Sequence, residues 1–289
     1  MLAVRRTRPL RSLLAALLGL AMVVAVPAAA QAEPSETGRR NATGWYLALG
    51  DSLAAGYQPG RTPAVDLDGG YVGAVLEAER EDRPKTKLVN LACPGATSTT
   101  MVAGGGQCEY DEGTQMAQAR QFLRAHGQHT RLITLTVGAN DITPCLLETN
   151  IQGCALGVLR AYGPRLAGMV GTLRAAAPHA RIVVTNYYNP FLALYFSTNA
   201  QEQALVPLTT QLQQLLNATI AQATGSNGSV ADVATEFSSF DTTPVPFLGT
   251  TAPRNVAVIC AWTWMCARED IHANDAGYAA IARAVAARL

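Results

Sequence analysis

Three runs, Tyr46 to Leu49, Leu132 to Val137 and Arg181 to Asn186, constrain this chain most, because their interiors are apolar but for threonine and none has a charged face. A strand with one wet face alternates apolar and polar residues, whereas a strand that is apolar throughout needs cover on both faces. Leu88 to Ala92 and Val230 to Val233 read as further, shorter strands. Helical spacing fills the intervals, over Tyr71 to Arg83, Thr114 to His126, Ala155 to Ala177, Ala200 to Ala223 and Asp275 to Arg288. Pro164 is expected to break the third of these helices and Pro207 to disturb the start of the fourth, since proline lacks the amide a helix needs. Asn274 offers a cap for the last. Strands and helices in alternation predict one three-layer α/β/α domain around a central parallel sheet. Glu236 to Asn255, rich in Ser, Thr and Pro, is expected to be an irregular surface excursion.

The first 32 residues differ in kind. Arg5, Arg6, Arg8 and Arg11 precede 14 apolar-rich residues from Leu13 to Val26, and Ala30-Gln31-Ala32 has the small-x-small form of a signal-peptidase site. A bilayer span needs about 20 such residues, so a cleaved export signal over residues 1–32 is expected instead of an anchor. Residues 33–43, polar and without periodicity, read as a flexible leader, and residues 44–289 as the domain. Without the signal, 18 basic residues face 21 acidic ones, a formal charge of −3. Only Lys85 and Lys87 are lysines, and the arginines are scattered. That distribution argues against nucleic acid as a partner.

Six cysteines lie beyond the signal: Cys93, Cys108, Cys145, Cys154, Cys260 and Cys266. An even number in an exported chain predicts disulfides. They come as three couples with 14, 8 and 5 residues between partners, so sequential pairing is the simplest assignment, each bridge restraining one loop. Close-set Cys-x-x-Cys or Cys-His clusters are missing from the sequence, and no metal is expected.

In open parallel sheets, ligands bind at the carboxyl ends of the strands. Gly50-Asp51-Ser52-Leu53 follows the first strand, Cys93-Pro94-Gly95-Ala96-Thr97-Ser98 the second, and Gly138-Ala139-Asn140-Asp141 the third, while Asp270-Ile271-His272 precedes the last helix. These are complementary parts of an acyl-transfer site. A serine hydroxyl needs a base to become a nucleophile near neutral pH, and imidazole has the appropriate pKa. The oxyanion formed on attack needs aimed donors, which the amides of Ser52 and Gly95 and the side chain of Asn140 can supply.

Taken in order, GDSL, the glycine of PGATS, GAND and DIHAND resemble the four blocks of the SGNH hydrolases, or GDSL esterases and lipases, over Gly44 to Leu289. The paired cysteines make the chain most similar to the secreted bacterial members with three disulfides. The resemblance implies a flavodoxin-like α/β/α sandwich, a secreted serine esterase or lipase, Ser52 as nucleophile, His272 as base, and Ser52, Gly95 and Asn140 as oxyanion hole. It implies no cofactor. One departure concerns the histidine's partner. The family aspartate stands three residues before the histidine, where this chain has Glu269, while Asp270 stands two before; either carboxylate, or a backbone carbonyl, is a candidate to orient His272.

Other readings rank below this one. The Gly-x-Ser-x-Gly elbow of the α/β-hydrolases fails, because Ala54 occupies the second glycine position. His126, His129 and His179 accompany no strand-end motif. Asp51 is expected to bond local backbone instead of substrate. Phe191, Leu192, Leu194, Tyr195, Phe196, Trp262 and Trp264 are candidates for an acyl groove or for core. The expected partner is a small-molecule or lipid ester, with transient contact to a lipid surface, and the chain is expected to be a monomer. Phospholipase A1-type or sugar O-acyl esterase chemistry would use the same residues, and a non-catalytic secreted binding protein is the rival from another class.

Overall fold

The computed structural model describes residues 43–289, so the expected export signal and all but the last residue of the leader lie outside the described residues. Strand β1 (Trp45–Gly50) leads to α1 (Gly70–Asp82), β2 (Lys87–Asn90), α2 (Ser98–Ala103), α3 (Gln115–His126), β3 (Thr130–Thr136) and a short α4 (Ala139–Ile142). Next come α5 (Ile151–Ala176), β4 (Arg181–Thr185), α6 (Ala200–Gln203), α7 (Leu205–Thr224), β5 (Ser229–Ala231) and α8 (Val233–Glu236). A hairpin, β6 (Pro244–Phe247) and β7 (Thr250–Pro253), precedes α9 (Arg254–Trp262), α10 (Met265–Arg268) and α11 (Asp275–Ala286).

The first five strands form one parallel sheet in the order β2-β1-β3-β4-β5. This is the flavodoxin-like order, and the connections leave β1 and β3 in opposite directions, opening a crevice between their carboxyl ends. Helix α1 packs with α11, while α3, α5 and α7 pack in a row. Right-handed crossovers put these two groups on opposite faces. The expected three layers follow. Burial grades accordingly: Leu47, Leu49, Ile133, Leu135 and Val183, on the central strands, are fully enclosed, whereas the edge strands β2 and β5 are half-buried.

Polar groups inside the sheet are paired. Tyr46 Oη and Thr134 Oγ1 lie 2.9 Å apart, Tyr71 Oη and Thr136 Oγ1 2.8 Å, and Thr185 Oγ1 donates to Thr136 Oγ1 at 2.9 Å. Burial of these hydroxyls is thereby offset.

Two expectations need correction. Helix α5 runs unbroken through Pro164. Pro164 and Arg160 are exposed, so the carbonyl that proline leaves without a donor faces water, while Leu159, Tyr162, Leu166 and Met169 hold the helix to the core on both sides. The stretch from Glu236 to Asn255 is not wholly irregular, since it contains the β6/β7 hairpin. Its prolines are tolerated because each strand of a two-stranded ribbon has a free edge. Elsewhere the helix expected over Ala200 to Ala223 divides at Ala204, three residues before Pro207, and α2, α4, α8, α9 and α10 are additional. The cysteines pair sequentially, Cys93 with Cys108, Cys145 with Cys154 and Cys260 with Cys266.

Candidate active site

The serine turn begins with backbone that only glycine adopts comfortably. Gly50 has φ +132, and a Cβ there would collide with the carbonyl of Thr136. Close approach lets the Asp51 amide donate to that carbonyl at 2.9 Å, so the chain leaves β1 still bonded to β3. Gln115, buried at the start of α3, grips Gly50 from the other side: its Oε1 accepts from the Gly50 amide at 2.7 Å and its Nε2 donates to the Gly50 carbonyl at 3.1 Å. Asp51, 2% exposed, accepts from the Leu53 amide at 3.0 Å and from Tyr187 Oη at 2.6 Å. Burial outweighs those two bonds and pushes its carboxyl up to about 7.

Ser52 and His272 meet across 220 positions of sequence, with Ser52 Oγ 2.8 Å from His272 Nε2. Of the carboxylates that flank His272 in sequence, Asp270 faces the ring: its Oδ1 lies 2.7 Å from Nδ1 and also accepts from the His272 amide at 2.9 Å. Glu269 is exposed and sits in the left-handed region at φ 55, where the chain turns back after α10. An ionised carboxylate only accepts, so Nδ1 carries the proton and Nε2 is free to accept from the serine hydroxyl. The Tyr57 ring packs against the imidazole at 4.4 Å between centroids. Tyr188 Oη donates to the Ile271 carbonyl at 2.8 Å and the Trp264 amide to the His272 carbonyl at 2.9 Å, fixing the loop from both sides.

Gly95 follows Pro94 in a turn closed by the Ala96 amide on the Cys93 carbonyl at 3.1 Å, with Gly95 at φ +74. Proline followed by a positive-φ glycine is the type II pattern, which turns the amide between them outward. A side chain at Gly95 would meet Gln107 Nε2 at 2.8 Å. Among the described residues, the Ser52 and Gly95 amides donate to no protein acceptor. Asn140, at the start of α4, gives one Nδ2 hydrogen to the Ala96 carbonyl at 3.0 Å and has the second to spare. Its neighbour Asp141 accepts from the Ser98 amide at 2.8 Å and from Ser98 Oγ at 2.5 Å, and Arg165 donates to the same hydroxyl at 2.6 Å. Burial raises the Asp141 carboxyl against the pull of these partners. The segments after β2 and β3 are thus stitched together.

A small cavity beside Ser52 is lined by Leu53, Ala139, Asn140, Tyr187, Tyr188, Pro190, Ile271 and His272. Of the aromatic candidates for an acyl groove, Phe191 lines the adjoining cavity. Leu192 is core, Tyr195 and Phe196 are exposed, Trp262 packs on Phe237, and Trp264 Nε1 donates to Gln58. Sequence reasoning missed Gln115, Tyr187, Tyr188 and the Asp141–Ser98–Arg165 group. The segment Tyr187-Tyr188-Asn189-Pro190 did carry a signal, because it stands at the carboxyl end of β4.

A model of the GDSL-like Lipase/Acylhydrolase family matches residues 48–280. Solved structures share the fold at low identity. The phospholipase A1 from Streptomyces albidoflavus NA297 is 19% identical with a TM-score of 0.51, over 86% of this chain and 100% of that one. A lipase from a goat rumen metagenome is 17% identical with a TM-score of 0.55, over 85% and 97%. An acetyl-xylooligosaccharide esterase from Geobacillus is 16% identical with a TM-score of 0.50, over 86% and 95%. No curated protein sequence matches the chain. Since the family match spans most of the chain from the end of β1 into α11, the protein belongs to the GDSL-like lipase/acylhydrolase family and is an ester hydrolase.

Proposed function

We propose that the protein is an exported serine esterase that hydrolyses carboxylic esters through an acyl-enzyme on Ser52. The observation that carries this reading is the unbroken relay from Ser52 Oγ to His272 Nε2 and from Nδ1 to Asp270, at 2.8 and 2.7 Å. Ser52 Oγ attacks the ester carbonyl carbon as its proton passes to His272 Nε2, and Asp270 stabilises the imidazolium. The Ser52 and Gly95 amides and Asn140 Nδ2 receive the oxyanion, each contributing on the order of 3 kcal/mol. His272 then protonates the departing alkoxide. Water attacks the acyl-enzyme by the same route, returning its proton through His272.

Three disulfides fit an oxidising compartment, which supports export through a signal at residues 1–32, cleavage ahead of a leader over 33–43, and one secreted domain over 44–289. A monomer that touches lipid surfaces transiently is the accompanying expectation. The reading is tested by hydrolysis of p-nitrophenyl esters from acetate to palmitate with oxidised protein starting at Glu33, alongside Ser52→Ala and labelling with a serine-reactive phosphonate. Turnover and labelling that both require Ser52 are expected. A folded protein that neither turns over nor labels would instead be a binding protein.

A further inference from the structure

A cavity of about 70 Å3 adjoins the one beside Ser52 and shares Ala139, Tyr187, Tyr188, Pro190 and Ile271 with it. Leu146, Leu212 and Leu216 make its lining largely apolar. The hydroxyls of Thr143 and Thr209 donate to backbone carbonyls, and the side chain of Asn189 is engaged through both Nδ2 and Oδ1. Gln213 differs. It stands in the buried stripe of α7 with Thr209, Leu212 and Leu216, 5% exposed, where an aliphatic residue is the ordinary occupant.

One half of this amide duplicates a bond that the fold already makes. Gln213 Nε2 donates to the Tyr187 carbonyl at 2.8 Å, but Asn217 Nδ2 already serves that carbonyl at 2.9 Å, and Asn217 Oδ1 takes the Tyr187 amide at 3.0 Å. The other half, Gln213 Oε1, is buried with no hydrogen-bond partner among the described residues. A buried acceptor without a donor is costly, and a ligand that brings a donor recovers that cost.

We propose that this cavity takes the acyl group of the ester and that Gln213 Oε1 accepts a hydrogen bond from a hydroxyl on it, so that the preferred substrates are esters of short hydroxy acids. The assignment rests on the esterase reading above and leaves its covalent steps unchanged. A neutral hydroxyl suits the site better than an ammonium group, because apolar walls do not offset the desolvation of a charge.

The test compares kcat/KM for p-nitrophenyl pentanoate with its 2- and 3-hydroxy derivatives, in the wild type, Gln213→Leu and Gln213→Met. At one hydroxyl position the wild type is expected to favour the hydroxy ester by about tenfold or more, because a site built for a hydrogen bond discriminates against the analogue that lacks it. In both variants that ratio should fall at least tenfold, with the plain ester gaining. Ratios near or below one at every position in the wild type, or ratios unchanged in the variants, would overturn the assignment and leave water as the partner of Oε1. The wild-type ratios decide the matter even where a variant does not fold. Ser52-dependent hydrolysis without hydroxyl preference sinks only the role of Gln213, whereas no ester hydrolysis at all sinks the esterase reading and this assignment with it.

Discussion

The serine turn and the histidine loop reach the same hydrogen bond by different means. Ser52 is carried by backbone already bonded into the sheet, with Asp51 on Thr136, Gly50 gripped by Gln115, and both Asp51 and Ser52 buried. His272 stands on a half-exposed loop before α11, steered by contacts from Tyr57, Tyr188 and Trp264 and by the Cys260–Cys266 bridge. One side is rigid by secondary structure. The other is held by Tyr57 and Tyr188, which come from distant parts of the chain, and by the nearby backbone amide of Trp264. The serine's position is therefore set by the sheet it leaves, and the histidine's by the loops and rings packed around it.

The largest effect that bears on this contrast is symmetric. Ser52→Ala and His272→Ala should each lower kcat by about 10⁴-fold or more, since nucleophile and base act as one unit. If either keeps near wild-type turnover of p-nitrophenyl butyrate, the two halves do not form one site. The next separates the two carboxylates: Asp270→Asn should cost on the order of 10²- to 10⁴-fold in kcat by losing the acceptor that sets the imidazole tautomer, while Glu269→Gln stays within about twofold. Equal losses would mean that the loop rearranges in solution.

A smaller effect probes the serine side. Gln115→Leu leaves the Gly50 amide without its acceptor and should destabilise the fold by roughly 1–3 kcal/mol in urea unfolding, with kcat falling as the turn loosens. Unchanged stability would show that the turn does not depend on that grip. The smallest concerns pH. Burial holds Asp51 near 7 against a usual 3.8, so between these values the folded chain keeps a proton that the unfolded chain has lost. The stability from this group is complete below about 4 and is lost as pH rises towards 7. Asp51→Asn should flatten that part of the melting-temperature profile, and an unaltered slope would assign it to other groups.

The sheet was legible because its strand interiors are apolar but for threonine, and the placement of Ser52, Gly95 and Asn140 at strand ends because each directly follows such a run in sequence. The partner of His272 was not, since the choice between Glu269 and Asp270 depends on how α10 ends and on where Tyr188 and Trp264 hold the backbone. Gln115 and Arg165 were hidden for a similar reason. Each acts on a segment that the sheet, not the sequence, brings near. Pro164 misled because a local helix penalty was outweighed by burial along the whole of α5. The β6 strand escaped notice because two of its four residues are proline.

The disulfides have a further consequence. Each bridge lies at a loop that bears on the site: Cys93–Cys108 beside Gly95, Cys145–Cys154 beyond Asn140, Cys260–Cys266 ahead of His272. None joins two strands of the sheet. Oxidation therefore tensions the working edge and leaves the foundations alone. In a reducing solution the opened bridges would leave these three loops less restrained, while the parallel sheet, which no bridge crosses, would keep its own hydrogen bonds.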